Sequence, residues 1–207
     1  MTHALRYTAV AAMFIAATNA HAVTDPAGDF LASLTGAHSG ALDILSADVT
    51  FDPAADTFLL HAETAGPIAD LSSAAYVFGF NRGGTANSPF ASIGEPGVSF
   101  NATAVLSANG TGKVGASAIP VTIAGYDIRA VVPASLLPSN GLDAQDYTWA
   151  LWSIDSSIAG LPRNADFAPD ANIQVAAVPE PETYAMMLAG LGVLGFVARR
   201  RATVIPG

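Results

Sequence analysis

Cysteine is absent from the 207-residue chain, which removes disulfides, thiolate metal sites and cysteine nucleophiles together. Charge is scarce too: Asp, Glu, Lys and Arg make up 12% of the residues, against a usual share of ~25%. Basic residues are the rarest of these. Between Val23 and Ala177 there are four of them, Arg82, Lys113, Arg129 and Arg163, against fifteen acids, a formal charge of −11. A surface of that sign disfavours nucleic acid and anionic lipid and suits divalent cations, while also keeping a domain soluble. Catalytic signatures are missing as well. His38 and His61 are the only histidines of that stretch, with no His-x-x-x-His or His-Glu-x-x-His spacing for zinc. There is no Gly-x-Ser-x-Gly elbow, and Gly83-Gly84 lacks the Lys-Ser/Thr partner of a phosphate-binding loop. Glu63 and Glu95 are its only glutamates, and fifteen acids single out no carboxylate pair for glycoside hydrolysis. The expectation is a protein that is not an enzyme, with a carboxylate-based, glycosidase-like activity as the one catalytic reading left.

Long apolar runs are also lacking from the centre of the chain, where nothing approaches the ~18 uncharged residues of a spanning helix. The apolar segments lie at the two ends. Arg6 precedes a short apolar run, Thr8 to Ala17, and then the small-x-small triplet Ala20-His21-Ala22. That is a secretory signal peptide over residues 1–22, with Ala20 and Ala22 flanking the cleavage specificity, the secretion translocon as partner and Val23 as the mature start. At the other end, Val178-Pro179-Glu180-Pro181-Glu182-Thr183-Tyr184 leads into an uncharged stretch from Tyr184 to Ala198, closed by Arg199-Arg200-Arg201. As a helix this stretch extends ~22 Å, short of the ~30 Å hydrocarbon layer. The arginines stay cytoplasmic and leave residues 202–207 as a cytoplasmic tail.

Residues 178–201 resemble the PEP-CTERM sorting signal of Gram-negative bacteria that make exopolysaccharide: the Pro179-Glu180-Pro181 motif, the Gly-rich apolar helix and the arginines Arg199, Arg200 and Arg201 occur in that family's order. The resemblance implies that the tail is recognised and cut near the motif by an exosortase, a membrane cysteine transpeptidase. The chain is then an inner-membrane intermediate first and a cell-surface or extracellular protein afterwards. The plain alternative is an ordinary C-terminal membrane anchor.

Between these ends, residues 23–177 carry a period of two. Strand-like runs begin at Leu42, Ile44 and, after a shift, Ala47, Val49 and Phe51. They continue over Thr57–Ala62, Tyr76–Phe80, Val98–Leu106, Pro120–Ile123, Tyr126–Val131 and Tyr147–Trp152, the last clear strand. Asn109-Gly110 marks a hairpin turn. Pro133 to Pro138 has room for one helical turn, while Thr85–Gly97 and Arg163–Asn172 read as loops. About eight short strands with regular turn signals predict an all-β fold, a single antiparallel β-sandwich of jelly-roll type. Length suffices for one domain with its own core.

Asp25-Pro26-Ala27-Gly28-Asp29-Phe30, followed by Ala41-Leu42-Asp43-Ile44, resembles the start of jelly-roll modules related to carbohydrate-binding and DOMON-type sandwiches. That resemblance implies a calcium site with Asp25, Asp29 and Asp43 as ligands and backbone carbonyls completing the shell. Simple Asx-turns at Asp25 and Asp29 are the other reading. A second acidic loop holds Asp166 and Asp170, which either join the first loop or face water while Phe167 covers the sandwich end. Trp149 and Trp152 fall on opposite faces of one strand, so one is core and the other is either a platform for stacking a sugar ring or part of a single aromatic core. Asn101-Ala102-Thr103 and Asn109-Gly110-Thr111 match glycosylation sequons, either accidental matches of a common strand and turn pattern or used sites, and glycosylation stays open. The expected function is a non-catalytic, exported surface or matrix protein, with exopolysaccharide as a further partner. The alternative is a calcium- or glycan-binding module that needs no other cofactor.

Overall fold

The computed structural model describes residues 22–178, together with residues 188–192 and 194. Among the described residues there are eleven strands: β1 (Val23–Thr24), β2 (Ile44–Asp52), β3 (Thr57–Thr64), β4 (Ala74–Asn81), β5 (Ala102–Ser107), β6 (Thr111–Val114), β7 (Ser117–Ala124), β8 (Asp127–Pro133), β9 (Thr148–Asp155), β10 (Asn164–Gln174) and β11 (Ala176–Ala177); apolar residues alternate along β3 and β8. They form one continuous path, β1-β2-β3-β8-β7-β6-β5-β4-β9-β10, with β11 added to β2. Every pairing is antiparallel except that of β11 with β2.

The path doubles back at β7. Its first half, to Pro120, pairs with β6, and its second half, from Val121, pairs with β8. Pro120 has no N–H to give a ladder, so the changeover falls where a ladder hydrogen bond is already missing. A strand that switches partners in this way makes the corner between two packed sheets. At the opposite side β10 comes up against β2, and the sheet is nearly closed into a barrel-like sandwich.

The interior is filled by Phe58, Leu60, Tyr76, Phe78, Phe80, Leu106, Ile128 and Trp149, all essentially inaccessible. A second, smaller core lies on the outer face of β4, β9 and β10. There Ala75, Val77, Trp152, Ile154 and Phe167 are covered by Phe90 and Val98 from the long segment between β4 and β5. This explains why β4 and β9 are apolar on both faces, a pattern alternation alone does not give.

Two expectations change here. Residues from Arg163 onward, predicted as a loop, form most of β10, so Tyr147–Trp152 is not the last strand. Val98 and Phe100 stand before β5 in the covering segment, not in a strand with Leu106. The two-sheet antiparallel reading holds, with the sheets joined into a single path. All but the last residue of the segment expected to be a signal peptide, and most of the apolar tail, lie outside the described residues. Residues 188–192 and 194 of that tail are helical, with Leu188, Leu191 and Leu194 exposed. Among the described residues no helix is long and apolar enough to cross a membrane.

Gly79 on β4 shows how tightly the outer core is fitted. A Cβ there would stand 2.7 Å from Trp152 Cζ3 and 3.2 Å from Phe100 Cβ, so the indole ring lies where a side chain would be. Gly79→Ala is expected to destabilise the domain by about 1–3 kcal/mol through overpacking, read as a lower urea midpoint with an unchanged slope. An unchanged midpoint would show that Trp152 repacks freely.

Candidate metal centre

The site lies on the seam between β2 and β10 and is built from four separate pieces of chain. The first follows β1: Asp25 N–H donates to Leu45 O (2.9 Å), and the chain then turns through Gly28 at φ +83°. Gly28 N–H donates to Asp43 Oδ2 (2.9 Å). Asp43 closes a 3-10 turn over Gly40–Leu42, and that turn is held from the interior. The Tyr76 hydroxyl donates to Ala41 O and the Ser153 hydroxyl to Leu42 O. Gly40 also lies backbone-to-backbone on Gly66, where an added Cβ would sit 2.8 Å from Gly66 N.

The second side of the seam is β10. A register shift between Asn164 and Asp166 puts Asp166 at a bulge, a device that re-aims a side chain. Its Oδ2 accepts Ile44 N–H (2.7 Å) and its Oδ1 accepts Phe167 N–H (2.8 Å). The next link is Leu31 N–H to Ala165 O (2.8 Å). Asp25, Asp29 and Asp166 each bring an oxygen to within 4.8 Å of the others. Asp166 is 4% and Asp43 6% exposed, and Glu95, from the covering segment, is buried as well.

Such crowding has an electrostatic cost. Burial pushes the Asp25 carboxyl up to about 7, helped by the negative charges of Asp29, Asp170, Asp43 and Glu95. Burial likewise pushes Asp166 up to about 8; the Ile44 and Phe167 N–H groups oppose this, and Asp25 and Asp29 add to it. Glu95 is raised by burial and then by Asp170. Two oxygens, Asp25 Oδ2 and Asp43 Oδ1, are buried with no hydrogen-bond partner among the described residues. Unpartnered buried carboxylate oxygens are costly unless a cation or proton meets them. A hard divalent cation collects six to eight oxygens at about 2.3–2.6 Å, and each oxygen of Asp166 keeps a lone pair for it beyond its backbone N–H.

Asp25, Asp29 and Asp43, taken together on sequence, do gather here. Their roles differ: Asp25 and Asp29 converge with Asp166, while Asp43 braces the Asp25–Asp29 loop through Gly28. Of the two readings for the second acidic segment, the structure has Asp166 joined to the first. Phe167 instead packs against Trp152, with ring centroids 5.8 Å apart. Glu95 carried no signal beyond being an acid, because the segment that brings it is long and irregular.

The tryptophans are both enclosed. Trp149 is 1% exposed between the sheets, and Trp152 is 4% exposed on the outer face beneath Phe90 and Phe100. Both indoles are thus covered by the chain's own rings, and neither presents a face for a stacked sugar. Ala22 is exposed at the start of the described chain. Ala20, Pro179, Glu180, Pro181, Arg199, Arg200 and Arg201 lie outside the described residues.

Comparison with known families matches residues 177–201 to the PEP-CTERM protein-sorting motif. The match supports an exported protein sorted by an exosortase. No curated protein and no solved structure matches the chain, so the DOMON-type resemblance of its beginning gains no support from them.

The raised carboxyls fix a pH dependence. Their folded-state values, about 7 and about 8, lie above the ordinary 3.8, so over that window the folded protein holds protons that the unfolded chain has released. The cluster's contribution is therefore greatest at acid pH and falls as pH rises towards 8. With chelator present, Asp25→Asn is expected to gain melting temperature over the parent at about pH 8 and to lose that advantage near pH 4. An equal effect at both ends would show that Asp25 ionises normally in the fold.

Proposed function

We propose that the chain is a non-catalytic component of the extracellular layer of an exopolysaccharide-producing Gram-negative bacterium, released there as the sandwich of residues 23–177. The observation that carries this reading is the sorting motif and its position. The last described backbone hydrogen bond of the domain runs from Val178 N–H to Phe51 O (3.0 Å), one residue before Pro179. Cleavage near Pro179-Glu180-Pro181 thus leaves the strands complete, with β11 still seated on β2.

A non-catalytic role is supported by the surroundings of His61. Its Nδ1 lies 2.7 Å from Asp48 Oδ1 and its Nε2 2.8 Å from Asp127 Oδ1. The hydrogen bond to Asp48 leads in holding its pKa above the ordinary value, against the effect of burial. An imidazolium donating to two carboxylates has no nitrogen left to act as a base. His38 is stacked on Phe30, centroids 4.6 Å apart.

Intact mass of the protein from its native host tests the sorting. A species starting near Val23 and ending near the motif is expected, and a Pro179→Ala/Pro181→Ala variant is expected to keep Arg199–Arg201. A parent protein that still carries those arginines would make this a plain membrane-tethered domain.

The carboxylate cluster favours a second reading, that the domain binds calcium at its seam. Extracellular calcium modules bind at ~10⁻⁴–10⁻³ M. At a concentration of about 100 times Kd, binding adds about 2.7 kcal/mol, a rise of roughly 5–10 °C in Tm for a domain of this size. Asp43→Asn is expected to weaken the response and Asp25→Asn/Asp166→Asn to abolish it. A Tm indifferent to calcium in the parent protein would remove this reading.

A further inference from the structure

Two of the domain's four basic residues stand on one groove. A shallow depression of about 540 Å³ crosses the outer face of the sheet formed by β6, β5, β4 and β9, and both Lys113 and Arg163 line it. Cross-strand register shows how they are placed. Lys113 on β6 pairs with Val105 on β5, Val105 with Val77 on β4, and Val77 with Trp152 on β9. In the next row Ser107 pairs with Ala75, Ala75 with Ile154, and Ile154 with Asn164, the residue after Arg163. The two cations therefore close opposite ends of an apolar floor four strand spacings across, ~19 Å between backbones. Both are exposed, and among the described residues neither forms an ion pair.

We infer that this groove binds an acidic oligosaccharide, a short run of uronate-type sugars, with Lys113 and Arg163 taking carboxylates at its two ends and the apolar floor taking C–H faces between them. Thr103, Ser107 and Ser156 line the same groove and supply hydroxyls for the sugar's own. The separation of the cations selects a ligand with spaced charges over a compact anion, which would engage only one of them. A duplex nucleic acid fits poorly, since it carries a charge every ~1.7 Å along its axis with both strands counted, and the groove sets two cations ~19 Å apart against it. A peptide strand fits poorly too, because the groove lies on a sheet face whose backbone groups are already paired, away from any edge. The floor is aliphatic and aromatic at once: Val105 and Phe100 are partly exposed in it, beside the buried edge of Trp152. The inference depends neither on sorting by an exosortase nor on calcium at the seam.

Calorimetric titration of the signal-less domain, residues 23–178, with oligogalacturonate tests it. The same titration is run with the methyl-esterified oligomer, with single-stranded DNA and with an acidic peptide, each in calcium and in chelator. Binding is expected in both buffers, weakened by salt and at least tenfold weaker for the ester. Lys113→Ala and Arg163→Ala are each expected to weaken it several-fold, and the pair at least tenfold, with unchanged Tm. Arg129→Ala, whose guanidinium pairs with Asp127 (3.1 Å) on the other sheet, is expected to bind as the parent does. Absence of binding at millimolar oligomer, equal binding of ester and acid, or an unaffected double variant would overturn the assignment. So would binding confined to the calcium buffer, which would place the sugar on the metal, or tighter binding of DNA or peptide.

Discussion

The hydrogen bond from Ile44 N–H to the Asp166 carboxylate is the contact on which the closed shape depends. A continuous sheet that turns back on itself must bring its two end strands together, and β2 and β10 do not share a ladder. β2 already spends its outer edge on β1 and β11. A carboxyl from the bulge of β10 therefore does what a main-chain carbonyl does elsewhere, and it does so with charge once it ionises, at about pH 8. Charge-assisted bonds are shorter and stronger than neutral ones, but they carry an anion into the seam. Around it stand Asp25, Asp29 and Asp43, each bound to the same few turns, so closure and electrostatic repulsion come from one arrangement.

Those two effects oppose each other in a way that depends on what surrounds the protein. Protons relieve the repulsion at acid pH, and a divalent cation bound there would relieve it at neutral pH with the bond to Ile44 kept. The Asp25–Asp29 loop, the 3-10 turn before β2, the bulge of β10 and the covering segment that brings Glu95 all send a carboxyl towards this cluster. Neutralising this cluster therefore tightens four segments at once, where an ordinary surface carboxylate affects one.

Much of this was legible in the sequence. Asn109-Gly110 places the β5–β6 turn, with Gly110 at φ +81°, and alternation finds the strands from Thr57 and Tyr126 because each has one wet face. The shift noted between Ile44 and Ala47 is the register irregularity between Ile44 and Ser46. Alternation fails where both faces are covered. β10 alternates only briefly before Pro169 and Asp170, so it resembles a loop rich in turn formers. Trp152 sits beneath Phe90, which is far away in sequence, and no local pattern announces that cover. The acidic cluster was half visible for the same reason. Asp25, Asp29 and Asp43 are drawn together by local turns, whereas Asp166 arrives through the topology of the whole sheet.

The covering segment links the two chemistries of the domain. The chain between β4 and β5 buries Phe90 on Trp152 and Phe167, forms one wall of the basic-ended groove through Pro89, Phe90 and Phe100, and carries Glu95 to the acidic seam. Asn172 fastens it to β10, its side chain accepting Ser99 N–H (2.7 Å) and donating to Ser99 O (2.8 Å). The seam and the groove therefore share one covering segment, fixed by packed rings on the groove side and by paired amides on β10. Close-packed rings of this kind leave the segment little room to shift.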